Sequence, residues 1–223
     1  MAKKKQVKKS QTKQDKQFVF MFILMISLIA IIILIPLIKI YFFDRFSYLD
    51  LKFYKTSLGD NIFYSTKIPV ADRFGNIIGS FTISLQNDPR KLDKINSEFN
   101  IDVPTFRKDK TVYITTGKIE RNCVEGIPAT LTLSGFLQQF AQMNVSGAIS
   151  DKEIAEENNI QYITCLTHPK NTVINFVEGN VTEIKQIGNE CYELTYADCD
   201  VLKVSEKFIL DILKGYMKSF ERI

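Results

Sequence analysis

The chain has 223 residues, 45% hydrophobic and 24% charged, with a formal net charge of +4, one histidine and four cysteines. Beyond the tail and anchor roughly 180 residues remain, enough for one globular domain with a real core, or two small ones. The charge is unevenly spread: seven lysines against Asp15 give residues 1–17 a charge of +6, Lys39 adds one, and residues 44–223 hold 21 basic and 24 acidic side chains. A mildly acidic folded part argues against a nucleic-acid reader, which concentrates Lys and Arg on the domain itself.

The first predicted element is the stretch FVFMFILMISLIAIIILIPLI, residues 18–38, which carries no charge and only Ser27 as a polar side chain. As a helix its 21 residues extend roughly 31 Å, close to the roughly 30 Å hydrocarbon core of a bilayer. A lone span in lipid has no other conformation open to it. The lysines lie on its N-terminal flank, so the positive-inside rule puts residues 1–17 in the cytoplasm and the rest outside. A cleaved signal peptide has a shorter apolar region followed by a small-residue site. Here the following residues are Lys39-Ile40-Tyr41-Phe42-Phe43, and the three aromatics suit the outer interface, so an uncleaved signal anchor over 18–43 is expected. The polar, lysine-rich tail has no apolar period and is expected to be irregular or to lie on the anionic inner leaflet.

Residues 44–110 read as a membrane-proximal β-rich unit. NIFYSTKI at 61–68 and NIIGSFTISL at 76–85, with turn chemistry between Pro69 and Asn76, predict an antiparallel hairpin. Phe81, Ile83 and Leu85 alternate with Thr82, Ser84 and Gln86, giving one buried and one wet face. A short helix through Leu92 and Ile95 follows the Asn87-Asp88-Pro89 break, and Val103-Pro104 marks a further boundary. Asp88, Arg90 and Asp93 read as a charged turn in preference to a small site.

Residues 111–223 read as α/β. TVYITT at 111–116 is a strand, and a helix near Pro128 carries the apolar stripe Ala129, Leu133, Phe136, Leu137 and Phe140. Residues 145–149 return as a strand, completing a βαβ unit. The capping-box spacing at Ser150-Asp151-Lys152-Glu153 predicts a short helix to Asn158. Strands follow at 161–165, 172–177, 182–187 and 192–196, with Glu178-Gly179-Asn180 as a hairpin loop. The closing helix has Asp198 or Asp200 as cap and the face Val201, Val204, Phe208, Ile209, Ile212 and Leu213. Lys203, Glu206, Lys207, Asp211 and Lys214 form its expected solvated side.

Cys123, Cys165, Cys191 and Cys199 all fall beyond the anchor, which suits disulfides in an oxidising exterior. Three pairings are possible and sequence does not choose among them. If the strands ending at Thr116 and Cys165 are parallel neighbours, Cys123 meets Cys165 and Cys191 meets Cys199. In an exported domain the sequons at Asn144 and Asn180 are possible glycan acceptors, Asn180 the more favoured.

No local pattern supplies catalytic, cofactor-binding or metal-ligating residues. His168 stands alone in Thr167-His168-Pro169, the cysteines lack Cys-x-x-Cys spacing, and phosphate-cradling glycine loops and a GxSxG elbow are absent. No cofactor is expected.

The basic tail and anchor, FYSTKIPV at 63–70, LQNDPRKLD at 85–93, Asn122-Cys123, AEENNIQYITC at 155–165 and GNECYELTYADCDVLKVSEKF at 188–208 carry a likeness beyond composition. The chain resembles an uncharacterised family of single-pass membrane proteins from the small-genome DPANN archaea. The resemblance implies the anchored topology and brings no activity with it.

The expected fold is thus an α+β or α/β extracytoplasmic region on one N-terminal transmembrane helix: a β-rich part, then a disulfide-stapled α/β part. The expected function is a binding or assembly component of the cell envelope, with the membrane and another envelope or membrane protein as partners and no nucleic acid. This reading calls for an exposed apolar or aromatic patch on the folded domain. The alternatives are an accessory single-pass subunit of a membrane complex and an extracytoplasmic enzyme or small-ligand binder, the last requiring a deep pocket with convergent polar groups.

Overall fold

The computed structural model describes residues 2–38, 44–71, 76–98, 110–117 and 123–220. The expectations at Tyr41–Phe43 and at Val103-Pro104 lie outside these residues. Two compact units result, Met1–Phe46 and Ser47–Ile223.

The first unit is built on helix α1, Ala2–Ile38, within which Phe18–Ile38 is long and apolar enough to cross a membrane and buries nothing against protein. Its backbone is helical from Ala2 onward, which departs from the disordered tail that was one of the two expectations for residues 1–17. Once the apolar segment supplies a nucleus, each further residue adds a hydrogen bond at little cost, and lysine is a good helix former.

From Arg45 onward the chain forms two sheets. The first has the order β1-β2-β3-β4, with β1 Arg45–Tyr48, β2 Leu51–Leu58, β3 Asn61–Ala71 and β4 Ile77–Leu85. β3 and β4 form the expected antiparallel hairpin, with Ile83 and Leu85 buried and Thr82, Ser84 and Gln86 exposed. Asp88 caps the one-turn helix α2, Pro89–Leu92, by accepting from the Arg90 N–H. Ile95 falls beyond that helix, because β5, Asn96–Glu98, begins directly after it.

The six-stranded sheet has the order β5-β9-β10-β8-β6-β7. It comprises β6 Thr111–Thr116, β7 Asn144–Ile149, β8 Thr172–Glu178, β9 Glu183–Gly188 and β10 Cys191–Tyr196, with helices α3 Gly126–Gln139, α4 Lys152–Glu157 and α5 Val201–Phe220. The β6-α3-β7 unit is the predicted parallel crossover. Helix α4 is capped by Asp151, not by Ser150: its carboxylate accepts from the Glu153 and Ile154 N–H groups.

Three expectations are corrected. Residues 161–165 contribute one bridge, Tyr162 to Ile149, and no strand. β8 and β9 are not a hairpin, since β10 lies between them, parallel to β8 and antiparallel to β9. Gly179 meets β10 closely: its N–H donates to the Tyr196 carbonyl, and a Cβ there would lie 2.5 Å from Thr195 Cγ2. The cysteines pair as Cys123–Cys199 and Cys165–Cys191, with Cα separations of 5.3 and 5.8 Å. β6 and β10 both run parallel to β8, so their exits share one edge of the sheet. Cys123 therefore meets the cysteine that leaves β10, not one from the absent strand at 165.

Helix α5 buries its predicted face in full, and Leu202, Ser205 and Leu210 as well. Its expected solvated side is corrected in part: Glu206 has no exposed surface and Lys207 is nearly buried, whereas Lys203 and Asp211 are half-buried and Lys214 is exposed. Both sides are covered because α5 packs against β9, β10 and α3 and also against α2. Ser205 Oγ donates to the Ala129 carbonyl on α3, and the Tyr216 hydroxyl donates to the Pro69 carbonyl on β3.

Candidate protein-binding groove

Helix α3 explains its own site. GIPATLTLSGFLQQ contains no charged residue, and its inward stripe buries Ala129, Leu133, Phe136 and Leu137. That face packs on α5 and the sheet, and Phe136 stacks on Phe140, which in turn meets Tyr216 edge-on. On the other side Ile127 and Leu131, one turn apart, remain 73% and 66% exposed. Val124, just before the helix, is also exposed.

Beneath this wall runs a groove of about 540 Å³. Its floor is one face of the β6/β7 pair: Ile114 lies opposite Gly147, and Thr116 opposite Ile149, with Val145 continuing the row. Thr130, Leu131, Ser134 and Gln138 form the α3 side, and Ile160 also lines the groove. Gly147 helps to keep the floor open, since a Cβ there would meet nothing within 4 Å. None of the lining side chains titrates. The chemistry on offer is apolar contact with a few neutral hydrogen-bonding groups, which suits a peptide surface.

A smaller crevice of about 210 Å³ opens at the carboxyl edge of the parallel strands, lined by Gly117, Ser150, Phe176, Val177, Glu178 and Tyr196. Open α/β sheets commonly place ligands at this edge, yet Glu178 is the one carboxylate in the lining.

The residues singled out from sequence are dispersed. His168 sits in a turn, with Nδ1 3.0 Å from Thr167 Oγ1 and its ring against Tyr113. Among the described residues no group of three or more His, Cys, Asp and Glu stands where it could hold a metal ion. Asp88 and Arg90 pair at 2.6 Å, and the Arg90 hydrogen bond holds the Asp88 carboxyl below its ordinary range. Asp93 does not join them: it accepts from the Tyr48 hydroxyl and lies 3.9 Å from Lys207, which pairs with Asp211 at 2.8 Å. Burial, with Asp93 beside it, pushes the Tyr48 phenol up. Asn180 is exposed in the β8–β9 loop, and Asn144 is exposed at the start of β7.

Sequence reasoning missed two features. The Glu206 carboxylate accepts from the Gln86 N–H, the Asn87 N–H and Asn87 Nδ2 at 2.5–2.9 Å, tying α5 to the end of β4. Burial pushes its pKa up to about 7, against the three donors. The groove was the other, although the absence of charge along residues 126–139 was its available signal. Comparison with protein-family models, curated proteins and solved structures finds no match.

Proposed function

We propose that the chain is a membrane-anchored binding component whose folded part lies outside the cell and docks another envelope or membrane protein along the α3–β7 groove. The observation that carries this reading is the groove itself: an uncharged floor and wall beside the exposed Ile127 and Leu131. Residues 44–223 hold 45 charged side chains, so a charge-free helix and strand side by side mark a surface kept for contact. Phe18–Ile38 supports the anchor, and two disulfides support an oxidising compartment outside. The lysines before the span support a cytoplasmic N-terminus. Binding, not catalysis, is the proposed activity.

The test is crosslinking mass spectrometry on gently solubilised, non-reduced membranes, with the native anchor and with an unrelated apolar helix in its place. Crosslinks from the folded part that survive the exchange support docking by the domain. Their loss on exchange would transfer the contact to the anchor and favour the accessory-subunit reading. Reduced cysteines would overturn the outward topology.

A further inference from the structure

One end of the four-stranded sheet is left bare by its own fold. Leu49 and Asp50, both with positive φ, form a two-residue turn between β1 and β2, so the strands are antiparallel and Tyr48 falls opposite Leu51. Arg45, where β1 begins, therefore falls opposite Tyr54, and β2 runs on past it to Leu58, about 14 Å further. On the other flank β4 ends at Leu85, opposite Tyr64. The end of the β2–β3 hairpin thus projects as two strands alone, and every residue from Lys55 to Ile62 is exposed, on both faces. Two strands with nothing packed against them are marginal in water.

The side chains on this projection suit an interface. Leu58 at the tip is 73% exposed. Tyr54 shares its face by strand alternation, and so does Phe63, which pairs with Thr56. Lys55 and Asp60 are the only charges between Tyr54 and Tyr64, and they cancel. An apolar tip with aromatic side chains behind it matches a surface that is apolar below and polar above, the boundary at which Tyr concentrates in membrane proteins.

The route of the chain selects that surface. The chain enters the sheet at Arg45, from the end toward which the hairpin projects. The apolar helix ends at Ile38, and the seven residues from there to Arg45 reach at most about 25 Å fully extended. The hairpin spans about 14 Å of this, so full extension leaves Leu58 about 11 Å from the hydrocarbon. Any slack carries it into the headgroup layer, which is roughly 5–7 Å thick. We infer that the β2–β3 tip rests in the outer headgroup layer of the membrane that holds Phe18–Ile38, with Leu58 inserted and lipid as its partner. The inference rests on the proposed anchor and is independent of the α3–β7 groove. Ile77 provides the contrast within the same sheet: it is 69% exposed, but it pairs with Ala71, about 33 Å along β3 from Asn61.

The test uses the full chain reconstituted in phosphatidylcholine vesicles. A nitrobenzoxadiazole fluorophore is attached, without reductant, to Asn61→Cys, which lies opposite Leu58, or to Ile77→Cys at the far end. Emission is read with and without lipid that carries a nitroxide on its headgroup. The expected result is blue-shifted emission at 61 and several-fold stronger nitroxide quenching there than at 77. Leu58→Asp is expected to remove most of the quenching at 61, with circular dichroism unchanged.

Equal quenching at 61 and 77, or quenching at 61 that Leu58→Asp leaves intact, overturns the inference. A blue shift at 61 without quenching, growing with protein density, overturns it too, since the tip would then meet a second copy. Flotation separates this inference from the anchor on which it rests. A chain that floats with the vesicles but shows no quenching at 61 keeps its anchor and loses only the hairpin contact, whereas a chain that fails to float loses both.

Discussion

Glu206 is a carboxylate with no exposed surface and three N–H donors, and among the described residues no cation hydrogen-bonds to it. The donors favour the ionised form, but loss of water around the carboxylate outweighs them and moves its pKa from 4.5 to about 7. The folded value is above the unfolded one, so folding takes up a proton between these pH values. The group's contribution to stability is greatest below about pH 4.5 and is lost as pH rises through 7. By linkage the change is about 3 kcal/mol, to the order of magnitude. Chemical denaturation from pH 4.5 to 8 should therefore show a fall for the native chain that Glu206→Gln lacks. The glutamine is itself expected to cost about 1–3 kcal/mol, because its NH₂ cannot accept from the donors around it. Parallel pH profiles for the two proteins would contradict this account. The sequence concealed this residue: at helical spacing Glu206 falls on the same face as Lys203, and only the non-local approach of Gln86 and Asn87 distinguishes the two.

Among the elements, α3 and α5 differ in how far their patterns reveal them. The apolar stripe of α3 gives the packed face correctly, since one sheet and one helix cover it and the remainder meets water. α5 is covered from two sides, and a one-face periodicity cannot announce the second cover. The strand at 161–165 shows the opposite limit: its composition is β-like, but after Tyr162 bridges Ile149 the chain turns away into the segment that leads to Cys165. β8 and β9 looked like a hairpin because Gly179 sits between them, yet that glycine is needed where β10 passes. One substitution tests the account of α3. Gly135 lies within the helix and a Cβ there meets nothing within 4 Å, so Gly135→Ala should stabilise the protein by about 0.5–1 kcal/mol through backbone entropy. Unchanged or lower stability in denaturant melts would mean that this part of α3 is not a packed helix interior.

At the scale of the whole molecule, the N-terminal apolar helix and the order of local elements are legible in the sequence, while the cysteine pairing and the groove depend on strand order. The groove exists because β7 is an edge strand, α3 leans over it, and Gly147 leaves the floor open. Its function as a contact surface is the central claim, and the most direct measurement is a photo-reactive amino acid at Leu131 in the full chain, activated in native membranes. The account predicts protein adducts from Leu131, none from Thr82, and a several-fold loss of adduct when Gly147→Val fills the floor without lowering the melting temperature. Adducts to lipid alone, or a protein yield from Leu131 that Gly147→Val leaves untouched, would contradict it.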